Sequence, residues 1–449
     1  MKLLFLYCYI SSSPGKGGES LKKRISLSKK AIALIQIVIL LFIQFLITPK
    51  GFLHYFLILD ILIIMGIYSF RGYEIENLKS LNNTLISYIL GAFTAHLLML
   101  VLIVLQSRQF PKLPFFTTGF VSITVLPAVA YSISKWYVKT LKPQYYLVIG
   151  KKGKIEEIMN EIQKASFGKI IVHSYINPNV EILSGLLELE KEKTFDKILI
   201  ADPSLIDGTK YLLEEAERKG IEIVYLPTLV EDTLKRIPVE IIELFEEYYE
   251  ISFSKRSESS MKRLIDIVGS IIGLVVFSPI MLIIAISILL EDGRPVVFKQ
   301  KRVGKNEKPF TLFKFRSLKN ADIDKTNPNK DIEKRAFRVG KIIRRLRFDE
   351  IPQFWNVLKG EMSIVGPRPE MIEFHQTMSK AILFYRYRCK VKPGITGWAQ
   401  INFKHTTTIE DYIRKTEYDL YYVKNKNIFL DLSIILLTIE TMLGMRGSR

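Results

Sequence analysis

Two adjacent carboxylates, Asp349 and Glu350, are the residues best suited by type and spacing to phosphoryl chemistry. Three arginines precede the pair: Arg344, Arg345 and Arg347. Because Pro352 is tolerated in a first helical turn and Gly360 favours a helix end, Gln353–Lys359 is predicted to be a short helix. Its positive dipole end and the arginines should keep both carboxylates ionised. Successive helical residues point about 100° apart, so one carboxylate can face a phosphorus atom while its neighbour holds a metal ion. A capping pair stabilised by arginines is the alternative.

Two basic clusters could bind the phosphate groups of a substrate. The first is Lys301-Arg302-Val303-Gly304 followed by Lys314-Phe315-Arg316-Ser317, and the second is Gly366-Pro367-Arg368-Pro369-Glu370. The first cluster suits a diphosphate, although a solvated or lipid-facing basic surface would look the same. In the second, two prolines should fix the guanidinium of Arg368 for bidentate phosphate binding, and a structural turn is the alternative. A further Gly/Pro loop, Lys392–Gln400, could shape a nucleotide or sugar pocket.

The composition excludes several classes of protein. The chain has 449 residues, 48% hydrophobic and 24% charged, which excludes a disordered or fibrous protein. Two cysteines exclude a disulfide framework and Cys-rich zinc sites, and five histidines argue against a His-rich metal site. The net charge of +19 suits nucleic acid, anionic lipid or phosphorylated substrates. Most of it lies in Met261–Arg449, with 34 basic and 19 acidic residues.

Four apolar runs predict transmembrane helices in residues 31–140. They are Ala31–Thr48, Phe52–Phe70, Leu85–Gln106 and Phe115–Ile133. Each is close to the ~20 residues that cross a bilayer as a helix. Residues 1–30 carry seven Lys or Arg against one Glu, so the positive-inside rule places this end in the cytoplasm. Four spans return the chain to the cytoplasm.

Asp60 and His96 lie near the middle of the second and third predicted spans. Ionisable residues at that depth are candidates for function. The sequence shows no other polar residue to accompany them, so we expect a buried polar pair that fixes the packing of the helices.

Residues 141–251 alternate short apolar runs with amphipathic helical patterns, which predicts a parallel sheet of Rossmann type. The predicted strands are Tyr145–Ile149, Lys169–His173, Lys197–Ala201 and Ile221–Tyr225, and the predicted helices are Lys154–Lys164, Glu181–Lys191 and Thr209–Lys219. The loop Gly150-Lys-Lys-Gly153 departs from the dinucleotide fingerprint. Its lysines could hold an anion, but a structural or regulatory module is the favoured interpretation. A polar linker is predicted at residues 252–260.

A fifth apolar run, Leu264–Leu290, has Ser278-Pro279 near its middle and basic residues on both sides. A crossing helix would place one basic flank outside the cell. A re-entrant helix-break-helix keeps both flanks inside, with Pro279 supplying the break. Ser278 could bond a carbonyl that the proline leaves without a donor. A plain fifth span is the alternative.

Five motifs together resemble those of the bacterial polyprenyl-phosphate sugar-1-phosphate transferases. They are Arg302-Val303-Gly304, Lys314-Phe315-Arg316-Ser317, Asp349-Glu350-Ile351-Pro352-Gln353, Gly366-Pro367-Arg368-Pro369 and Lys392-Pro393-Gly394-Ile395-Thr396-Gly397. The resemblance covers residues 261–449, and the preceding spans and α/β segment are similar to the long-form members, which start exopolysaccharide or O-antigen synthesis. It implies a mostly helical catalytic domain with a re-entrant membrane helix at residues 264–290.

The resemblance also implies a two-step reaction. A UDP-sugar gives its sugar-1-phosphate to Asp349 and releases UMP, and polyprenyl phosphate then takes the phosphosugar. Glu350 would bind Mg²⁺, with Asp322 in a weaker supporting role. Phosphates would be held by Arg302, Lys314, Arg316 and Arg368. Arg347-Phe348 departs from the family pattern, and the phenylalanine is expected to narrow or stack on the substrate pocket.

A membrane protein with three parts is therefore expected: a four-helix transmembrane bundle, a Rossmann-like middle domain and a catalytic domain on the cytoplasmic face of the bacterial inner membrane. The expected partners are a UDP-sugar, polyprenyl phosphate and the bilayer, without nucleic acid. The alternative is a non-catalytic scaffold or sensor that binds nucleotide and anionic lipid. The sugar and the oligomeric state, a homo-oligomer included, stay open.

Overall fold

The computed structural model divides the chain into two compact units. The residues it describes are 21–78, 80–106, 110–176, 195–205, 210–254, 259–319, 335–403 and 408–442. The first unit comprises Met1–Lys235 and Glu240–Tyr248, and the second comprises Arg236–Val239 and Tyr249–Arg449. Residues 252–254 of the predicted linker are helical, since they end a helix at Ser254.

The first unit begins with four long apolar helices and one short helix. These are α1 (Leu21–Ile47), α2 (Leu53–Ser69), α3 (Ile75–Leu78), α4 (Leu81–Gln106) and α5 (Lys112–Thr140). Each long helix contains a stretch long and apolar enough to cross a membrane, in agreement with the four predicted runs. The four share a buried core around Phe56, Ile63 and Leu126. Large apolar side chains such as Phe45 point outward, 84% exposed, as expected of a membrane protein.

Polar side chains connect these helices inside their shared core. Gln44 Nε2 donates to Asp60 Oδ1 at 2.9 Å and to Thr118 Oγ1 at 3.1 Å, and so joins α1, α2 and α5. His96 Nε2 on α4 lies 3.3 Å from the carbonyl oxygen of Phe115 on α5. These contacts agree with the packing role predicted for Asp60 and His96, which stays a prediction, but the two residues do not form a pair. The expectation that no other polar residue accompanies them was wrong.

A four-stranded parallel sheet follows, with strand order β2-β1-β3-β4. Its strands are β1 (Gln144–Ile149), β2 (Ile170–Ile176), β3 (Lys197–Ile200) and β4 (Glu222–Tyr225). Helices α6 (Lys152–Ala165) and α7 (Lys210–Arg218) occur where the sequence predicts them. The predicted helix at Glu181–Lys191 lies outside the described residues. The alternation of strand and helix is confirmed.

Three short helices follow β4, namely α8 (Leu226–Leu234), α9 (Val239–Leu244) and α10 (Glu246–Ser254). Gly150 ends β1 with φ +158°, and a Cβ there would lie 3.2 Å from the Cβ of Ala201. In the adjacent lysine loop, Lys152 pairs with Glu156 of its own helix at 3.3 Å. The structural or regulatory role of this segment stays a prediction.

The second unit is mostly helical, as predicted. Its helices are α11 (Ser260–Asp292), α12 (Arg338–Arg345), α13 (Gln353–Lys359), α14 (Ile372–Ala381), α15 (Trp398–Asn402), α16 (Ile409–Asn425) and α17 (Ile428–Met442). Strands β5 (Val297–Val303) and β6 (Pro309–Phe315) form an antiparallel hairpin. Strands β7 (Ser363–Val365) and β8 (Gly394–Thr396) pair in parallel.

Helix α11 runs through Ser278 and Pro279 as one helix of 33 residues. The helix is therefore continuous at Pro279, where the sequence predicts a break. Ser278 Oγ donates to the carbonyl oxygen of Val275 at 2.7 Å, which is the carbonyl that the missing N–H of Pro279 leaves without its helical donor. The predicted function of the serine is confirmed, while the re-entrant path stays a prediction.

Both ends of α11 are attached to the second unit. Near its start, Arg263 donates to the carbonyl oxygens of Val357 and Leu358 at 2.7 and 2.8 Å. Near its end, Glu291 accepts hydrogen bonds from the backbone N–H groups of Arg338 and Val339 at 2.7 and 2.8 Å. One face of the helix is therefore held by the compact unit to which the helix itself belongs.

Candidate active site

The two carboxylates lie in a tight turn between two helices of the second unit. After α12, Arg347 adopts φ +56°, and a 3₁₀ turn over Phe348–Glu350 leads into α13. Helix α13 ends at Gly360 in the left-handed conformation, φ +83°. The predicted location of Asp349 and Glu350 before a short helix is confirmed, and both side chains are buried.

Two cations contact the carboxylate of Glu350. Arg368 Nη2 donates to Glu350 Oε1 at 2.8 Å, and Lys314 Nζ donates to the same oxygen at 3.4 Å. Burial by itself would raise the pKa of Glu350, but the charges of Arg368 and Lys314 lower it to about 2. Glu350 is therefore ionised at neutral pH, as the sequence predicts.

Asp349 has the opposite electrostatic environment. Burial, and then the negative charge of Glu350, raise the pKa of Asp349 despite the opposing effects of Lys314, Arg344 and Arg368. Within the described part of the chain, no group donates a hydrogen bond to this carboxylate. A carboxylate with a raised pKa is more basic and hence more nucleophilic once it is ionised. The arginines therefore favour ionisation of both acids, as expected, but only at Glu350 do the cations overcome the effect of burial.

Arg368 retains the capacity to bind a substrate phosphate. Its side chain is 36% exposed. Among contacts between described residues, it donates to Glu350 through Nη2 alone. Its Nε and Nη1 donate to no described residue, so they are available to donate to a substrate phosphate. Lys314, on β6, provides a second positive charge at the same carboxylate.

The loop that carries Arg368 is supported by the second Gly/Pro segment. The N–H of Gly394 donates to the carbonyl oxygen of Pro367 at 2.9 Å. A Cβ at Gly366 would clash with the carbonyl oxygen of Lys392, so only glycine permits this approach of two backbones. The two motifs are thus held together, and the segment Lys392–Gln400 packs against the loop that carries Arg368.

Two of the predicted phosphate-binding arginines contact protein groups. Arg302 donates through Nε and Nη2 to Gln300 Oε1 and through Nη1 to the carbonyl oxygen of Pro369. Arg316 is buried, and its Nη2 donates to the carbonyl oxygens of Asp292 and Gly293, both at 2.7 Å. Arg302 thus supports the Arg368 loop, and Arg316 holds the C-terminal end of α11. The structure does not bring Arg316 into contact with the carboxylate pair.

Phe348 is partly buried. It packs against a hydrophobic cluster that includes Ile284 and Ile288 of α11, and its ring centroid lies 6.4 Å from that of Phe277. The expectation that Phe348 narrows or stacks on a substrate pocket is therefore not supported by its contacts. The side chain connects the carboxylate turn to α11 beside Ser278 and Pro279.

The carboxylate pair fits a magnesium ion. Mg²⁺ is typically held by one or two carboxylates, with substrate phosphates and water completing its shell. Both hydrogen bonds to Glu350 use Oε1, so Oε2 accepts none from a described residue. Glu350 Oε2 would therefore supply a hard oxygen ligand, beside the Asp349 carboxylate. Asp322, the weaker predicted ligand, lies outside the described residues.

Three charged residues beside the site, Lys415, Arg388 and Asp419, were not assigned to it by the sequence analysis, and Glu370 was named only as the end of a motif. Lys415 Nζ lies 2.6 Å from Glu370 Oε1, and Arg388 Nη2 lies 2.8 Å from Asp419 Oδ2. Lys415 and Asp419 are one turn apart on α16. Only Glu370 had a signal, because it follows the Arg368 motif directly. The other three resemble ordinary charged residues until the fold brings them together.

Comparisons with known proteins indicate the family to which the chain belongs. The family model for bacterial sugar transferases matches residues 257–445. A UDP-N-acetylgalactosamine-undecaprenyl-phosphate N-acetylgalactosaminephosphotransferase of Aeromonas hydrophila is 45% identical over 190 residues, which are 42% of this chain and 45% of the relative. A UDP-glucose:undecaprenyl-phosphate glucose-1-phosphate transferase of Klebsiella pneumoniae is 35% identical over 292 residues, 64% of this chain and 57% of the relative.

The sugar transferase EpsL of Bacillus subtilis (strain 168) is 42% identical over 187 residues, which cover 42% of this chain and 89% of the relative. The chain thus contains nearly all of a relative that is little more than the matched region. It belongs to the bacterial sugar transferase family. It spans about half the length of the Aeromonas and Klebsiella relatives.

Proposed function

We propose that the protein transfers a sugar-1-phosphate from a UDP-sugar to polyprenyl phosphate, with undecaprenyl phosphate as the acceptor, and so starts the synthesis of a surface polysaccharide. The observation that carries the proposal is the contrast between two adjacent carboxylates. Glu350 is held ionised by Arg368 and Lys314, while Asp349 is buried without a hydrogen-bond donor among the described residues. The names of the relatives supply the substrate classes.

In the first step, a carboxylate oxygen of Asp349 attacks the sugar-bearing phosphorus of the UDP-sugar. The bond from that phosphorus to the bridging oxygen breaks, and UMP leaves with the electron pair. In the second step, a phosphate oxygen of the polyprenyl phosphate attacks the same phosphorus and releases the Asp349 carboxylate. A covalent intermediate divides one displacement into two steps.

The cations around the pair have defined functions in both steps. Arg368 and Lys314 offset the negative charge that gathers on the phosphoryl oxygens. Magnesium, when bound by Glu350 with Asp349 nearby, would supply further charge compensation. Arg302 and Glu370 keep the Arg368 loop in place, because Arg302 donates to the carbonyl oxygen of Pro369 and the Glu370 carbonyl accepts from the N–H of Val303.

The same proposal places the protein in the bacterial cytoplasmic membrane, with α1, α2, α4 and α5 as a transmembrane bundle. The catalytic unit lies on the cytoplasmic face, and α11 enters and leaves the membrane on that side. This path is supported by the contacts at Arg263 and Glu291, which hold both ends of α11 on one compact unit. A helix that crossed the bilayer would carry its two ends to opposite faces.

The test is a UMP-release assay on the full-length protein in washed membranes, with a panel of UDP-sugars and undecaprenyl phosphate. We expect Asp349→Asn to abolish UMP release, and Glu350→Gln to reduce it and weaken its dependence on Mg²⁺. The matched control is Glu373→Gln, which changes an exposed carboxylate on α14 and should leave turnover unchanged. Normal turnover by the Asp349 variant would rule out the proposed nucleophile.

A further inference from the structure

The backbone of the Arg368 loop is held by four carbonyl contacts with other elements. Those of Pro367 and Glu370 accept from the backbone N–H groups of Gly394 and Val303, at 2.9 and 3.0 Å. That of Pro369 accepts from Arg302 at 3.2 Å. The carbonyl of Arg368 itself accepts from Arg388 Nη2 at 2.9 Å. The residue that holds Glu350 is thus fixed at its own carbonyl by a second arginine.

Arg388 is almost fully buried, with 4% of the residue exposed. Its Nε and Nη2 donate to Asp419 Oδ2 at 3.2 and 2.8 Å, and its Nη1 donates to the hydroxyl of Tyr385 at 3.0 Å. A buried charge with this many partners has one geometry, because any other orientation leaves polar groups without hydrogen bonds. The guanidinium therefore holds the Arg368 carbonyl at a fixed position.

The network continues to helix α16. Asp419, on that helix, neutralises Arg388, and Lys415, one turn earlier, pairs with Glu370 at 2.6 Å. The start of α16 is fixed by a capping box formed by Thr408 and Asp411. Helix α16 thus holds Glu370, which ends the Arg368 loop, and Arg388, which donates to the Arg368 carbonyl.

We propose that Arg388, oriented by Asp419, is a positioning residue that sets the Arg368 guanidinium against Glu350 and the substrate phosphate. This inference rests on the proposed function. Arg388 itself does not touch the reacting atoms. Its effect passes through the backbone of residue 368, where a displacement by one ångström would separate the guanidinium from its 2.8 Å partner.

The chain offers a matched control for this proposal. Arg236 forms a buried ion pair with Glu417, which lies on α16 between Lys415 and Asp419. Both side chains of that pair are as buried as those of Arg388 and Asp419. Arg236→Met therefore removes a comparable buried charge that pairs with α16, while the hydrogen bond from Arg388 to the Arg368 carbonyl stays in place.

The experiment is a double-mutant cycle on the full-length protein, with kcat, KM for the UDP-sugar and the unfolding temperature measured for each variant. The variants are Arg388→Met, Arg388→Lys, Arg368→Lys, the double variant Arg368→Lys/Arg388→Met, and Arg236→Met. We expect Arg388→Met to lower kcat about 100-fold, the order of loss that misplacement of a charged group causes. The KM should change by less than about threefold, because binding contacts outside the loop are retained.

Arg388→Lys should recover part of kcat, since lysine can still reach the carbonyl or Asp419. In the Arg368→Lys background, Arg388→Met should cost less than about threefold in kcat, because two residues that act through one contact are not additive. Arg236→Met should lower the unfolding temperature but leave kcat of the folded protein within about twofold. If Arg388→Met does not fold, Asp419→Asn is taken through the same cycle.

Additive losses in the double variant, or an equal fall of kcat in Arg236→Met, would overturn the positioning role and leave the proposed function intact. If the wild-type protein released UMP from none of the UDP-sugars in the panel, the proposed function would be ruled out, and this inference with it. The two failures are therefore distinguished by the wild-type measurement.

Discussion

Adjacent carboxylates in one turn acquire opposite pKa shifts because the described cations contact only one of them. Arg368 and Lys314 both contact the same oxygen of Glu350 and overcome the effect of burial. Asp349 is one residue away and has a raised pKa. The different roles proposed for Asp349, the nucleophile, and Glu350, the metal ligand, thus depend on a few individual atomic contacts.

Glu370 offers a test of the charge network through pH. Burial would raise the pKa of Glu370, but Lys415 and Arg388 lower it to about 2 from the ordinary 4.5. A carboxylate with a lowered folded-state pKa stabilises the fold fully above its unfolded pKa, and this contribution is lost as the pH falls towards the folded value. We therefore expect the unfolding temperature of Glu370→Gln to lie furthest below wild type above pH 5, and the gap to shrink between pH 4.5 and pH 2.

The measurement is thermal unfolding in detergent, followed by intrinsic fluorescence across this pH range. Glu373→Gln, three residues along and exposed, is the control and should show a gap that stays small at every pH. A gap for Glu370→Gln that is constant with pH would contradict the assignment.

A substitution of Phe348 tests whether this departure from the family pattern affects packing or the choice of substrate. It packs against the hydrophobic cluster of Ile284 and Ile288, and its ring lies near that of Phe277. Phe348→Leu should cost about 1 kcal/mol of unfolding free energy through lost packing. The order of preference among UDP-sugars should not change, and a new preferred sugar would show instead that Phe348 lines the pocket.

Among the elements, α12 matters because it delivers the chain to the carboxylate turn. Gly340 on α12 packs against the backbone of Ser317, directly after β6, and a Cβ at residue 340 would clash with the Ser317 carbonyl oxygen. The helix and the hairpin that carries Lys314 are thus in contact through a position that permits no side chain. The distance between Lys314 and Glu350 depends on this contact.

Gly340→Ala should therefore destabilise the protein by about 1–3 kcal/mol, the usual cost of overpacking. It should also lower UMP release more than the stability loss explains, because α12 and β6 move apart. Lys341→Ala, an exposed neighbour on the same helix, is the control. Equal effects of the two substitutions, measured by thermal unfolding and by UMP release, would show that the contact is unimportant.

At the scale of the whole molecule, the side of the membrane on which the chain emerges after α11 decides whether the site can meet cytoplasmic UDP-sugars. The described part of the chain has five helices able to cross a membrane by length and composition, and α11 is the fifth. An odd number of crossings would place the carboxylates outside the cell. A re-entrant α11 leaves them inside.

Cysteine labelling of intact cells distinguishes the two paths. In a variant without Cys8 and Cys389, a cysteine at the exposed position Gln376 should resist an impermeant maleimide until the cells are permeabilised. A cysteine at Lys112, in the predicted outer loop, should react in intact cells and serves as the positive control. Rapid labelling at residue 376 in intact cells would favour a plain fifth span.

The sequence by itself determined the elements and the location of the chemistry. Apolar runs of membrane length, alternating strand and helix patterns, and the Pro and Gly that bound α13 all act within a few residues. For that reason the long helices, the parallel sheet and the turn of Asp349 and Glu350 were predictable. The five ordered motifs also included Arg368 and Lys314, which contact Glu350.

Only the tertiary structure decided which charges meet. Arg388 and Asp419 are 31 residues apart, and Lys314 and Glu350 are 36 apart, so their contacts depend on how distant elements pack. The same packing places Arg316 against the carbonyl oxygen of Asp292 at the end of α11 and Phe348 against a hydrophobic cluster. Local patterns carry no information about such partners, because a side chain's electrostatic environment is set by the elements that fold against it.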